Sequence, residues 1–400
     1  MNNKEYSPFT PGSPVPIELF VGRSKQISEL LRYARQIKSG KKENVFLAGE
    51  RGIGKSSLAS FIKYYLNTNE NILGIHVFLG GVTSLNELVK LIFDKILKET
   101  KEKGWFDDIA NFFGKRIKEI GLFGISVSFD PSEEDLQQLV INFPEALANL
   151  IKNLKKQKQG LFIALDDING LVEQSDFANW YKSFVDRVAT HYDEFPVFFV
   201  LIGLPEKRDV LARKQPSLMR IFRVVEIEKL DDREVQEFFI KAYTQVGMKV
   251  TEEALKLMVK YSSGLPLLMH EIGDSTFWID TDGEIDADDA FKGVLSAAEK
   301  IGQKYLDPKV YKAIRSERYR SILRKLGEQP FKRSFFKKEI EKKLNDNEKG
   351  VFHNFLRRIR DLGVIEPDIE RGRGSYRFVN EIYPLYIYLE SQRYRKKFKT

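Results

Sequence analysis

Two periods alternate over the first 230 residues. The continuous apolar runs "NVFLAG", "ILGIHVFLGG", "QGLFIALDD" and "FPVFFVLIGL" are too short for most helices, and their character predicts strands buried on both faces of a parallel sheet. Between them lie segments with apolar residues at helical spacing. "SKQISELLRYARQIKSG" is one, with Ser24 expected as cap and Gly40 as stop, and "KSSLASFIKYYLN" and "SLNELVKLIFDKILKET" are others. Apolar strands alternating with amphipathic helices predict a doubly wound α/β domain.

Three stretches depart from that alternation. Residues 1–19 carry four prolines and few apolar residues, and read as an extended N-terminal arm. Residues 101–134 read as an insertion: "GWFDDIANFFGKRIKEIG" spaces its aromatics like a helix, and "GISVSF" alternates like a strand. Apolar residues at helical spacing usually face a core, so Trp105, Phe106, Phe112 and Phe113 are expected to bury against the body, the alternative being a partner surface. Beyond about residue 230 the strand pattern stops. Three helical runs follow, then an acidic patch (Asp280, Asp282, Glu284, Asp286, Asp288, Asp289) read as a loop and helix start, since carboxylates suit a helix N-terminus. The last hundred residues read helix, helix, helix, strand, turn, strand, helix. The expected domains are therefore 1–19, 20–230, 231–304 and 305–400.

Composition narrows the function classes. The 400 residues contain no cysteine, which excludes disulfides and thiolate metal sites. No apolar run approaches the roughly 20 residues needed to span a bilayer, and the N-terminus lacks the pattern of a signal peptide, so a cytoplasmic protein is expected. The net charge of +8 is unevenly placed: residues 301–400 hold 26 basic and 13 acidic residues, while the remainder is net acidic. A basic terminal domain raises the expectation of a polyanionic partner, the plainer alternative being a solvated lysine-rich surface.

The candidate chemistry begins after the first strand. Gly49, Glu50, Arg51, Gly52, Ile53, Gly54, Lys55 and Ser56, followed by Ser57, match G-x-x-x-x-G-K-[ST] between a strand and a helix. Glycines let backbone N–H groups turn inward around phosphate oxygens, Lys55 brings a point charge, Ser56 offers its hydroxyl to Mg²⁺, and the helix aims its positive end at the anion. The complementary carboxylates come from "LFIALDD". Asp166 is expected to hold Mg²⁺, and Asp167 to orient or deprotonate water, although an Asp pair at a strand end can also simply cap a turn.

With "ELFVGR", the loop, "LFIALDD", "LIGLPEKRD", "SLMRIFRVVEIEKL" and "SSGLPLLMHEIG" in this order, the chain resembles AAA+ P-loop ATPases. It is most similar to the branch containing archaeal origin-recognition-like ATPases, TniB-type transposition ATPases and STAND NTPases. The resemblance covers about residues 16–275, and more loosely the C-terminal domain. It implies a parallel sheet followed by an all-α lid, and ATP or ADP with Mg²⁺ as ligands. It further implies that Phe20, Val21, Gly22 and Arg23 line the adenine pocket and that Gly264 and Pro266 approach the base and ribose, although a glycine and a proline also suit any tight joint between helices. Arg220 fits best the arginine that such proteins offer to a neighbour's γ-phosphate. Three departures point to slow hydrolysis: Asp167 stands where a Glu is usual, Ile202, Gly203 and Leu204 supply no polar sensor, and the lid lacks an arginine. His270 stands one turn beyond Pro266 and is expected to be packed rather than to contact phosphate.

The C-terminal helices "YRSILRKLGE", "KRSFFKKEIEKKLN" and "EKGVFHNFLRRIRDLG", followed by "VIEPDI", "ERGRGS" and "YRFVN", look like a winged helix. In a DNA-binding winged helix the third helix enters the major groove and the wing touches phosphates, which assigns Arg357, Arg358, Arg360, Arg371 and Arg373 to DNA; the tail "RYRKKFKT" would add phosphate contacts. The expected function is an ATP-binding switch with slow Mg²⁺-dependent hydrolysis that forms a homo-oligomer with ATP and engages double-stranded DNA. The alternative is a STAND-type signalling or defence regulator, with the winged helix as an intramolecular lid and a protein partner as output.

Overall fold

A computed structural model describes residues 4–100, 112–120, 126–328 and 332–397. By their contacts they form two units, Pro16–Glu228 and Met1–Val15 with Lys229–Thr400. Trp105, Phe106 and the last residues of the basic tail lie outside the described residues.

The first unit is built on strands β1 (Glu43–Ala48), β2 (Leu73–Phe78), β5 (Leu161–Asp166), β6 (Val197–Gly203) and β7 (Arg223–Glu226), with a hairpin of β3 (Ile117–Ile120) and β4 (Ser126–Phe129) inserted between β2 and β5. The five form one parallel sheet in the order β2-β5-β6-β1-β7. Every residue of β1, β5 and β6 is buried, which is why these strands read as continuous apolar runs. β7 escaped the sequence pattern because it is a charged edge strand with only Val225 buried. Helices α1 (Ser24–Ile37), α2 (Lys55–Asn69), α3 (Leu85–Thr100), α4 (Glu133–Ile141), α5 (Phe143–Leu154), α6 (Asn169–Val172), α7 (Ser175–His191) and α8 (Pro205–Lys214) complete the unit.

Two local expectations are corrected here. Ser24 is not the cap of α1: it is the first helical residue, and Arg23 precedes it in the left-handed conformation at φ 63° with no side-chain cap. The helix therefore starts from a backbone turn and not from a hydroxyl. The helical pattern expected through "KRIKEIG" gives way at Ile117, where the chain pairs antiparallel with Ser126–Phe129 and takes its backbone hydrogen bonds across the hairpin. The aromatics behave as expected where they are described: Phe113 is buried, 5.8 Å from the Phe93 ring and 5.2 Å from Phe129, and Phe112 packs beside it.

The second unit opens with α9 (Asp232–Gln245), α10 (Glu252–Ser262), α11 (Pro266–Ile279) and α12 (Ala287–Ile301). Strand pairing does not stop altogether, since β8 (Lys249–Val250) and β9 (Glu284–Ile285) form a two-residue parallel pair. The acidic patch acts as a helix start. Asp286 caps α12 through the N–H groups of Asp288 and Asp289, and Asp289 reaches back to the Asp286 N–H. The N-terminal arm lies on this bundle. Phe9 is buried against Phe238, Phe239 and Tyr243, over Gly273, where an added Cβ would come within 2.3 Å of its ring. The Thr10 N–H donates to His270 Nδ1 at 3.0 Å. His270 is thus a packed residue, as expected.

A π-helical segment (Gly302–Tyr311) leads to α13 (Glu317–Leu326), β10 (Ser334–Phe336), α14 (Lys337–Glu341), α15 (Asp346–Asp361), β11 (Ile365–Pro367), β12 (Ser375–Phe378) and α16 (Ile382–Lys397). The three strands pair antiparallel in the order β10-β12-β11, which completes a winged-helix arrangement. The helix expected over residues 332–345 is corrected: Ser334–Phe336 is a strand, and the helix is confined to Lys337–Glu341. Phe335 decides this: extended backbone pairs it with Tyr376 and places its ring in the core beside Phe378.

Burial pushes the His270 imidazole down to about 4. The unfolded chain takes up this proton near pH 6.5, so the contribution is complete above that pH and is lost as pH falls towards 4. Urea unfolding of wild type against His270→Leu should show the difference in stability falling by about 2 kcal/mol from pH 7 to pH 5; a pH-independent difference would contradict this burial.

Candidate functional site: the carboxyl edge of the sheet

All five strands of the parallel sheet end on one edge. Ala48 pairs with Gly203 and Glu226, and Asp166 with Ile202 and Phe78, so the loops after β1, β5 and β6 leave from neighbouring points. The glycine-rich loop leaves β1 here. Gly52 (φ 78°) and Gly54 (φ 95°) take the left-handed turn that a side chain would oppose, and Gly54 caps α2. A Cβ on Gly49 would come within 2.8 Å of Ile53 Cγ2, so only glycine lets the buried Ile53 tuck beneath the loop. Lys55 Nζ donates to the carbonyls of Gly49 and Glu50, each at 2.8 Å. Burial pushes the Lys55 ammonium below its usual range, and the nearby carboxylates of Asp166 and Asp167 partly offset this. A desolvated cation bonded, among the described residues, to carbonyls alone, at the start of a helix with glycine turns around it, fits a phosphate chain. Ser56 and Ser57 follow in the first turn of α2, both half-buried.

Asp166 ends β5 and is buried, with Oδ2 2.9 Å from His76 Nε2. Asp167 is exposed and stands at φ 60°, an uncommon conformation for a residue with a side chain. Its Oδ1 accepts from the Asn169 amide, and Asn169 Oδ1 accepts from the Leu204 N–H at 3.3 Å. The end of β6 is as apolar as the sequence reads. Yet Asn169 places an amide between that strand end and Asp167, a polar group hidden from sequence reasoning because it follows a different strand. MgATP sites commonly combine one hydroxyl and one or two carboxylates with phosphates and water. Ser56 and Asp166 supply such a donor set.

Arg23 does something the sequence does not announce. It is buried, donates through Nη2 to the Ile53 carbonyl at 2.9 Å, and donates through Nη1 to the Glu228 carbonyl. It therefore braces the loop from beneath. Gly22 (φ 66°) and Arg23 form the left-handed turn that aims it there. Phe20 stacks on Phe61 of α2, with ring centroids 4.7 Å apart and planes within 15°, and Val21 is buried. Phe61 was not singled out from sequence, where it looks like any apolar position of a helix.

Gly264 and Pro266 belong to the other unit. Gly264 stands at φ 68°, and a Cβ there would come within 2.3 Å of the Leu230 carbonyl, so the glycine is required by the joint itself. Pro266 opens α11, and the Ser263 hydroxyl accepts from the Glu381 N–H at 3.2 Å. Arg208, Arg213, Arg220 and Arg223 follow β6; Arg208 pairs with Glu226 at 3.0 Å, and Arg223 pairs with Glu43 at 3.0 Å over the Tyr33 ring. Arg220 ends the turn Pro216–Arg220, is exposed, and makes no hydrogen bond or ion pair among the described residues.

On the winged helix, Arg357, Arg358 and Arg360 are exposed on α15, and Arg371 and Arg373 are exposed on the wing. Arg360 pairs with Asp361 at 3.3 Å and Arg371 with Asp368 at 3.8 Å. Arg315, Ser316 and Tyr319 join Arg357 and Arg358 around a surface cleft of about 440 Å³, so Arg315 extends the basic face. Among the described residues, no helix is long and apolar enough to cross a membrane.

A five-stranded parallel sheet with a glycine-rich loop after one strand and an acidic pair on the same edge defines a P-loop nucleotide-binding domain. Residues 19–181 match the family model for the AAA ATPase domain, and this stretch of the chain is such a domain. The fold of the whole chain resembles that of the Aeropyrum pernix ORC2 protein solved with ADPNP and ADP. The TM-score is 0.60 at 13% identity, covering 100% of this chain and 98% of that one. The ADP form of that protein gives 0.54 at 13% identity, with 97% of each chain covered. The Walker-type ATPase PABY2304 of Pyrococcus abyssi gives 0.54 at 17% identity, with 92% and 96% covered. No curated protein sequence matches the chain.

Arg23→Ala removes two charge-assisted hydrogen bonds and leaves their carbonyls unsatisfied. It should cost about 2 kcal/mol or more in urea unfolding and weaken nucleotide binding with it; unchanged stability would show that the brace is dispensable.

Proposed function

We propose that this protein is a nucleotide-operated switch that binds ATP or ADP with Mg²⁺, hydrolyses ATP slowly, assembles in the ATP state and engages double-stranded DNA through its basic winged helix. The observation carrying this reading is the convergence of Lys55, the start of α2, Asp166 and Asp167 on one sheet edge. The backbone of Gly49, Gly52, Ile53 and Gly54 would hold phosphates with Lys55 and Ser57, and Ser56 and Asp166 would hold Mg²⁺. Phe20 and Val21 would take the base, beside the ring of Phe61. Bound Mg²⁺ supplies charge neutralisation on the phosphates. Asp167 would orient the attacking water and accept its proton at a carboxylate oxygen, with Oδ1 already engaged by Asn169.

Slow turnover follows from the same residues. The Asp167 side chain is shorter than a Glu and is committed to Asn169, β6 ends in Ile202 and Gly203, and "GLPLLMH" offers no lid arginine. Arg220, exposed and without a side-chain partner among the described residues, is the group that a neighbouring copy would receive, so hydrolysis would depend on assembly. The exposed arginines on α15 and the wing, together with the concentration of positive charge in residues 301–400, support DNA as the polyanion. We place the protein in the cytoplasm.

One observation favours a second reading, a STAND-type regulator with a protein partner. The Ser263–Glu381 bond ties the Gly264 joint directly to the start of α16, as an intramolecular winged-helix clamp would require.

Lys55→Ala should abolish nucleotide retention, measured with a fluorescent ADP analogue; retained affinity would overturn the site. If the five arginines contact phosphates, doubling the salt should weaken duplex binding by about twentyfold in fluorescence anisotropy. Absence of salt-sensitive binding would remove DNA from the reading and leave the clamp.

A further inference from the structure

Ser56 and Asp166, the two groups assigned to Mg²⁺, come from separate parts of the sheet. α2 follows β1, while Asp166 ends β5, and β6 lies between those strands. Octahedral Mg²⁺ tolerates little error in where its ligands stand. A device that fixes one against the other is therefore needed, and no backbone ladder joins α2 to β5.

His76 supplies that link. It lies in β2, a strand of otherwise apolar residues and one glycine, and it is 4% exposed. Its Nε2 is 2.9 Å from Asp166 Oδ2 and its Nδ1 is 3.0 Å from Ser60 Oγ. An ionised carboxylate only accepts, so the partners assign the hydrogen to Nε2 and make Nδ1 the acceptor from the Ser60 hydroxyl. One tautomer satisfies all three groups and leaves Asp166 Oδ1 without a protein partner among the described residues. Ser60 stands four residues after Ser56 on α2, so the two hydroxyls share a helix face. Phe78 lies over the imidazole with ring centroids 4.3 Å apart and is itself 57% exposed, which shields the relay at the edge of the sheet.

We infer that His76 is a positioning residue: through Ser60 it holds the metal-side carboxylate Asp166 in register with the helix that carries Ser56. This deepens the nucleotide-site reading and rests on it. Buried partners of this kind typically change metal affinity by about ten- to a hundredfold when removed. A histidine that merely fills space would leave the metal dependence alone.

The test is the affinity of the full chain for a fluorescent ADP analogue, titrated from chelated to saturating Mg²⁺. His76→Phe, which keeps an aromatic ring beneath Phe78, should raise the Mg²⁺ concentration giving half the affinity gain by about tenfold and leave the affinity under chelation unchanged. His76→Gln, whose amide can donate to Asp166 and accept from Ser60, should recover most of that loss. Ser60→Ala should shift the half-point by about threefold, and it carries the test alone if the Phe variant does not fold. A Mg²⁺ half-point within about twofold of wild type in folded variants would overturn the inference, as would an equal loss with and without Mg²⁺ that Gln fails to repair. A wild-type protein that binds the analogue with no gain from Mg²⁺ would overturn the metal assignment itself.

Discussion

A parallel sheet covered on both faces has nowhere to present chemistry except at its edges. The fully buried strands β1, β5 and β6 are given over to packing up to their last residues, and the glycine-rich loop, Lys55 and the Asp pair lie at or beyond the carboxyl ends of these strands. The glycine-rich loop and the Asp pair depend on this. They are remote in sequence and sit on strands that do not touch, yet the shared register of β6 with both brings them to one edge. The rest of the site consists of devices that hold this edge in shape.

Three such devices stand out. Arg23 reaches from a left-handed turn to the Ile53 carbonyl and ties the loop to the Glu228 carbonyl, two residues beyond β7. Asn169 spans from Asp167 to the backbone of Leu204, joining the acidic turn to the end of β6. His76 joins Asp166 to α2 through Ser60. Each replaces a contact that the sheet cannot make, because adjacent strands are locked by hydrogen bonds whereas their loops are not. The second unit follows the same logic at its own joint: Gly264 lets the chain pass against Leu230, and Ser263 carries that joint to Glu381.

The sequence revealed what depends on periodicity and local spacing. The apolar strands, the loop from Gly49 to Ser57, Asp166 and the winged-helix order were all legible, since each is a contiguous pattern with a physical reason behind it. Strand β7 and the short strand at Phe335 were not, because an edge strand needs little apolar character and three residues are too few to show a period. Ser24 misled because a hydroxyl before a helix usually caps it, while here the Gly22–Arg23 turn sets the start. His76, Asn169 and Phe61 were invisible for a different reason. A single polar residue in an apolar strand, an asparagine after an Asp pair, or a phenylalanine on a helix acquires meaning only from what folding places opposite it. Arg23 was visible, but its role as a brace was not, since nothing local marks the carbonyls it satisfies.

The central claim is that this edge holds ATP well and hydrolyses it slowly until a second copy completes it. Steady-state ATP turnover per protomer, followed across protein concentration, tests it most directly. The account predicts turnover well below about 1 s⁻¹ for dilute protein, rising with concentration as Arg220 reaches a neighbour's nucleotide. Turnover above roughly 10 s⁻¹ that is independent of protein concentration would contradict it.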